Sequence, residues 1–319
     1  MPVADAPIAS SSRRRYRRNK RMIKAPKFEP RVRQAIDIPL KLRFNLYIFA
    51  ESLLDDFDSV ALDHKMLKYI ASLPESKTRA RLSEMKMSTR LDFDLVEAEP
   101  CLKMFETFFS YLGVEEDRAS AIQSTSHLLE ITTGDKLTPL MPGFQMVQFA
   151  AAFFARETGG LLIDPLAYKI YEPDAPALQA MLSEAVGKPQ LRSLLSVFQS
   201  TLPTGRLRTT SHGLCRFGLP EFDFQKTAAA QGAAVIELIY RLAQALLEDL
   251  IEKASQGAGI DAYSFREPLP VSTADCQSTV SVPLRLHRTV EGRAASLAHH
   301  GRQHERDQAL VDLLTSLQL

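Results

Sequence analysis

Residues 144–156, FQMVQFAAAFFAR, put apolar side chains on nearly every side of a helix, with only Gln145, Gln148 and Arg156 polar. Such a helix has no wet face, so the rest of the chain must supply layers that cover it. The uncharged run around it, Leu137 to Ala155, is broken by Pro139, Pro142, Gly143 and two glutamines. Its helical part falls short of the roughly 20 apolar residues that cross a bilayer, so a buried helix is expected and no membrane span.

The covering layers are legible as period-two segments. LRFNLYIF, Leu42 to Phe49, alternates Leu42, Phe44, Leu46 and Ile48 on one face. RLDFDLVEA, TSHLLEIT and LLIDP read as further strands, the last ended by Asp164 and Pro165. TSHLLEIT, the apolar helix and LLIDP make a βαβ-like unit. Asp58 is an expected N-cap for a helix with Val60, Leu67, Ile70 and Leu73 on its apolar side, and CLKMFETFFSYLG reads as a helix ended by Gly113. LLSVFQST and GRLRTTSHGLCRFG read as two strands joined by the turn LPTG, and EFDF follows with Phe222 and Phe224 on one face.

A long helix is expected from Thr227 to about Lys253, ended by Gly257, with Val235, Ile239, Leu242, Leu246 and Leu250 on its dry side and a Glu237–Arg241 pair on its wet one. AYSFREPLPVSTADCQST reads as a loop, VSVPLRLHRTV as a last strand at a sheet edge because of Pro283, and HERDQALVDLLTSLQL as a terminal helix. The fold class this order implies is α+β, with a mixed, largely antiparallel sheet and helices packed on one face. The expected division is a basic arm over 1–38, a single α+β domain over 39–290, and a tail over 291–319 carrying a short amphipathic helix.

Charge divides the chain more sharply than its net value of +1 suggests. Met1 to Phe44 holds thirteen Lys and Arg against Asp5, Glu29 and Asp37, a local charge of +10 that leaves −9 on the remainder. Eight basic residues lie between Arg13 and Lys24, too dense and too poor in apolar surface to fold alone. Arg13, Arg14, Arg15, Tyr16, Arg17, Arg18, Lys20 and Arg21 are therefore the candidate binding residues, the cations for phosphates and Tyr16 for a base. Three cysteines at wide spacing, Cys101, Cys215 and Cys276, suit a reducing compartment, and with no apolar leader after the basic run a cytoplasmic location is expected.

The chemistry-bearing residues concentrate in TTSHGLCRFGLPEFDF, Thr209 to Phe224. His212 and Cys215 are base and nucleophile types, but three residues apart on a strand they face opposite ways unless Gly213 opens a bulge. Cys215 then reads as a small core residue. Glu221 and Asp223 share a face, as an acid–base pair, a metal site or a solvated strand face. His127, aligned with Leu129 and Ile131, is expected buried; His300 and His304, with His299 beside them, have zinc-ligand spacing but lack a third ligand. Phosphate-loop, dinucleotide-fold, His-Glu-x-x-His, Gly-x-Ser-x-Gly and Cys-x-x-Cys patterns are all missing, so no metal or cofactor is expected.

Thr210, Gly213, Leu214 and FGLPE (Phe217, Gly218, Pro220 and Glu221 within it), followed by the long helix, resemble an uncharacterised bacterial domain of unknown function, as do HLLEITTG and ARETGGLLIDP upstream. The resemblance spans roughly residues 40–290; it implies the fold and no catalytic residue. The expected function is a non-enzymatic, macromolecule-binding or regulatory protein with a protein partner. Its alternatives are nucleic-acid binding through the arm, and a small hydrolase or metal-dependent enzyme around His212, Glu221 and Asp223.

Overall fold

Two strands open the described chain, a short β1 (Ala35–Asp37) and β2 (Leu42–Phe49), the alternating segment above. The computed structural model describes residues 34–37, 41–51, 57–103, 116–183, 191–255, 262–289, 292–298 and 302–319, all within one unit, Val32–Leu319. After β2 come α1 (Ser59–Ser72), α2 (Lys77–Ser88), β3 (Asp92–Glu97), α3 (Ala98–Leu102), α4 (Glu116–Ser124), β4 (His127–Asp135), α5 (Pro142–Thr158), β5 (Leu161–Asp164) and β6 (Lys169–Tyr171). These strands form one antiparallel sheet in the order β3-β4-β2-β5-β6. Because β4 and β5 both pair antiparallel to β2, they run parallel to each other with β2 between them. The β4–α5–β5 unit is thus a split βαβ, and β2 through β5 have the strand order of a β-α-β-β-α-β sheet, with α3 and α4 inserted between β3 and β4.

Pleat explains the layers. Phe44, Leu46 and Ile48 of β2 join Leu129 and Ile131 of β4 in the main core, under α1, α2 and the largely apolar α5, whose buried residues include Phe144, Phe149 and Phe154. Tyr47, Leu128, Leu161 and Ile163 point the other way, onto Ala98, Leu102 and Ile122 of α3 and α4, so this sheet is covered on both faces. The N-terminus of α5 is held by Asp135, whose carboxylate accepts from the Gly143 and Phe144 amides at 2.7 and 3.2 Å, a negative charge at the positive end of the helix. No helix among the described residues is long and apolar enough to cross a membrane.

The second half contains α6 (Pro176–Ser183), α7 (Leu191–Leu194), β7 (Ser196–Thr201), β8 (Leu207–His212), β9 (Glu221–Thr227), α8 (Gly232–Ser255), β10 (Ala262–Ser264), β11 (Leu269–Ser272), β12 (Thr279–Val282), β13 (Leu284–Thr289), β14 (Gly292–Leu297) and α9 (Gln303–Ser316). Its main sheet has the order β13-β14-β9-β8-β7, antiparallel except that β14 runs parallel to β9. The chain is α+β with largely antiparallel sheets, though in two five-stranded sheets where one was expected.

Several local expectations are corrected. Asp58 does cap α1, but Val60 and Leu67 are 61% and 41% exposed while Leu62, Met66 and Ile70 are buried, so the dry stripe lies to one side of the expected one. The segment read as a loop contains β10, paired with β1, and the β11–β12 hairpin. Pro283 separates β12 from β13, and β13 is an edge strand as expected. The long helix starts at Gly232 because β9 runs on to Thr227. The segment beyond residue 290 is built into the body: β14 joins the sheet, and Leu310, Leu313, Leu314 and Leu317 lie in the main core. Gly113 and Gly257 lie outside the described residues.

Candidate functional site

The stretch Thr209–Phe224 is a joint. After β8 the chain turns at Gly213, whose φ of 117° is left-handed territory, and enters a 3-10 turn, Leu214–Phe217, that ends at Gly218 with φ 72°. A Cβ on Gly213 would sit 2.7 Å from the Leu194 carbonyl oxygen, so both backbone angle and space demand glycine. The expected strand therefore stops at His212, and Gly213 makes a turn in place of a bulge. Leu214, Arg216 and Phe217 turn inward, and the Phe217 ring packs 5.9 Å from Phe44 and 5.6 Å from Phe144 of the first half. Cys215 is consequently exposed, which corrects the core reading. Crowding around its sulfur and the charge of Glu221 push its thiol up to about 11, the reverse of what a nucleophile needs.

The proposed catalytic trio is not assembled. Glu221 accepts from the Ser211 hydroxyl at 2.7 Å and from the Gly213 and Cys215 amides at 2.9 and 3.0 Å, so it holds the turn together. The His212 ring packs edge-on against Tyr168 and Phe198, with Thr210 Oγ1 3.3 Å from its Nε2. Asp223 is buried, which corrects the solvated-face reading. Arg208 donates to it through Nε at 2.9 Å and Nη2 at 3.2 Å, Gln225 donates at 2.8 Å, and His287 Nε2 lies 3.4 Å away. Burial alone would raise its carboxyl, but His287, Arg208 and Gln225 hold it well below the usual carboxylate range. Asp164 holds its turn through the Ala167 amide, as expected, and is also the buried partner of Arg216.

Asp223 leads to a cleft of about 260 Å³, slightly below the ~300–1,000 Å³ of typical ligand pockets. Its origin is topological. β9 and β14 pair only at Glu221–Ala294 and Phe222–Ala295, then both strands continue and diverge. Residues of α9, among them Arg306 and Leu310, close the wedge between them.

The cleft lining includes apolar side chains, Phe224, Leu297 and Leu310, and cationic types, Arg285, His287 and Arg306. Lys226 sits at its rim in a β-bulge: Leu207 pairs with Thr227 and Arg208 with Gln225, which leaves Lys226 as the extra residue at φ 63°. Bulges of this kind re-aim a side chain next to binding sites, and the strained carbonyl of Lys226 is secured by Arg206 and Gln303 side chains.

The cleft's donors escape sequence reasoning because they come from β13 and α9, some sixty to eighty residues beyond Asp223. The available signal was the alternation of Arg285 and His287 with Leu284 and Leu286, which puts two cationic types on one strand face. Elsewhere, His127 is exposed at the first residue of β4, with its ring Nδ1 2.8 Å from Ser126 Oγ, which corrects the buried reading. His304 lies exposed on α9, and His299, His300 and the arm residues Arg13, Arg14, Arg15, Tyr16, Arg17, Arg18, Lys20 and Arg21 lie outside the described residues. Among the described residues no three His, Cys, Asp or Glu side chains are grouped as a metal site. No protein-family model, curated protein or solved structure matches this chain.

Proposed function

We propose that the chain is a non-enzymatic binding or regulatory protein whose recognition site is the cleft between β9, β13, β14 and α9. The observation that carries this reading is the division of labour among polar groups. Glu221, Asp223 and His212, the residue types able to do chemistry, are all spent on holding strands and turns, whereas Arg285 Nε and Arg306 Nε in the cleft lining have no partner among the described residues. Ligand-observed NMR with a small-fragment library on the full chain tests it. Fragments should bind the wild type and lose binding in Ser296→Trp, which fills the cleft; hits indifferent to that substitution would remove the site.

A second reading, a nucleic-acid partner, is favoured by the eight basic residues between Arg13 and Lys24 around Tyr16. The salt dependence of single-strand binding tests it.

A further inference from the structure

We propose that the cleft recognises a phosphoryl group carried on a small molecule. This rests on the cleft being the recognition site and adds the ligand's chemistry. Asp223 and Asp307 are the carboxylates on its lining, and each is already paired with an arginine from outside it: Arg208 with Asp223, and Arg206 with Asp307 at 2.6 Å. Arg285, Arg306 and Lys226 are left with no carboxylate in ion-pair range among the described residues. Among the described residues the cleft lining therefore carries more cationic than anionic side chains.

The donors are also unsatisfied individually. Arg285 Nε and Arg306 Nε are buried and have no acceptor within hydrogen-bond distance among the described residues, and both residues line this cleft, whereas His287 turns Nε2 to Asp223. A buried donor without an acceptor is a standing cost, and two guanidinium groups so placed beside one cleft leave their charge for a bound anion to meet. The two come from different elements, β13 and α9, with Lys226 on the β9 bulge as a third direction of approach. A carboxylate is planar and is satisfied by one guanidinium fork. A phosphoryl group offers three acceptor oxygens in different directions and nearly two negative charges, which suits several separate cationic donors. Phe224, Leu297 and Leu310 in the same lining offer apolar contact to an organic body beside the anion.

The test is calorimetric titration of the full chain with inorganic phosphate, phenyl phosphate and benzoate at equal ionic strength. Phenyl phosphate should bind at least tenfold more tightly than benzoate, and Arg285→Gln should weaken it tenfold or more with the unliganded Tm unchanged. Should that variant not fold, Arg306→Gln reads the same contact from the other element. Weaker binding of inorganic phosphate supports a phosphate ester as the ligand; equal binding would make the free anion the ligand and overturn the ester. No heat with either phosphate, parity with benzoate, or indifference to both substitutions overturns it. If the phosphates fail while fragments still compete at Ser296, only the ligand class is lost and the cleft reading stands.

Discussion

The guanidinium of Arg216 donates to both carboxylate oxygens of Asp164, at 2.7 and 2.8 Å, with the two side chains only 3% and 4% exposed. This pair joins the end of β5 in the first sheet to the turn after β8 in the second. Removing one partner strands the other charge in the interior, so Arg216→Ala should cost about 3–5 kcal/mol. Against a total stability of ~5–15 kcal/mol this shift is readable in a urea midpoint. A loss under ~1 kcal/mol, within the range of surface pairs, would mean that water reaches the site.

Gly213 makes a sharper claim about the same joint. Gly213→Ala meets a positive φ and the Leu194 carbonyl at once, and should destabilise by ~1–3 kcal/mol, the cost of holding a residue in a sparsely populated backbone region. Ala in place of Gly205, at φ 74° with nothing within 4 Å of a Cβ, is the control for the backbone term alone. Equal losses at the two positions by thermal unfolding would show that the Leu194 contact relaxes freely.

Sequence patterning carried much of the fold and little of the cleft. β2 falls at Leu42–Phe49 as its alternation dictates, and α5 lies where a helix without a wet face must be buried. Patterning failed where a partner far along the chain decides. β10 is three residues long and exists by pairing with β1, and Val60 and Leu67 form an apolar-looking stripe on α1 that no layer among the described residues covers. The phenylalanine face of β9 was legible, but Asp223 is buried by Arg208 and His287, which no local pattern ties to it.

The Asp223 environment sets an acid limb for stability. Its folded carboxyl titrates below the ordinary value of ~3.9, so its contribution is present above that pH and is lost as pH falls toward the lower folded value. Urea midpoints of the wild type should therefore decline from about pH 4 downward, and Asp223→Asn should be less stable at neutral pH with a shallower decline. Parallel curves for the two proteins would place the acid sensitivity elsewhere.

Cys215 should be an unreactive thiol despite its exposure. With a thiol pushed up to about 11, its thiolate fraction at pH 8 is about two hundredfold below that of an ordinary cysteine near 8.5. The greater nucleophilicity of a more basic thiolate recovers roughly a factor of ten. Iodoacetamide labelling followed by peptide mass spectrometry should find Cys215 modified about tenfold or more slower than a free-cysteine peptide. Glu221→Gln should speed it, because the adjacent negative charge is one of the causes of the shift.

The basic arm can be separated from the cleft by salt. Each phosphate contact on a single strand contributes about −0.7 to the slope of log Kobs against log salt, so engagement of half of the eight cations between Arg13 and Lys24 gives a slope near −3. Replacing Arg13, Arg14, Arg15, Arg17, Arg18, Lys20 and Arg21 by Gln in the full chain should abolish oligonucleotide binding in fluorescence anisotropy, while Arg285→Gln leaves the slope unchanged. Binding that survives the arm substitutions with its slope intact would move the nucleic-acid surface onto the folded body.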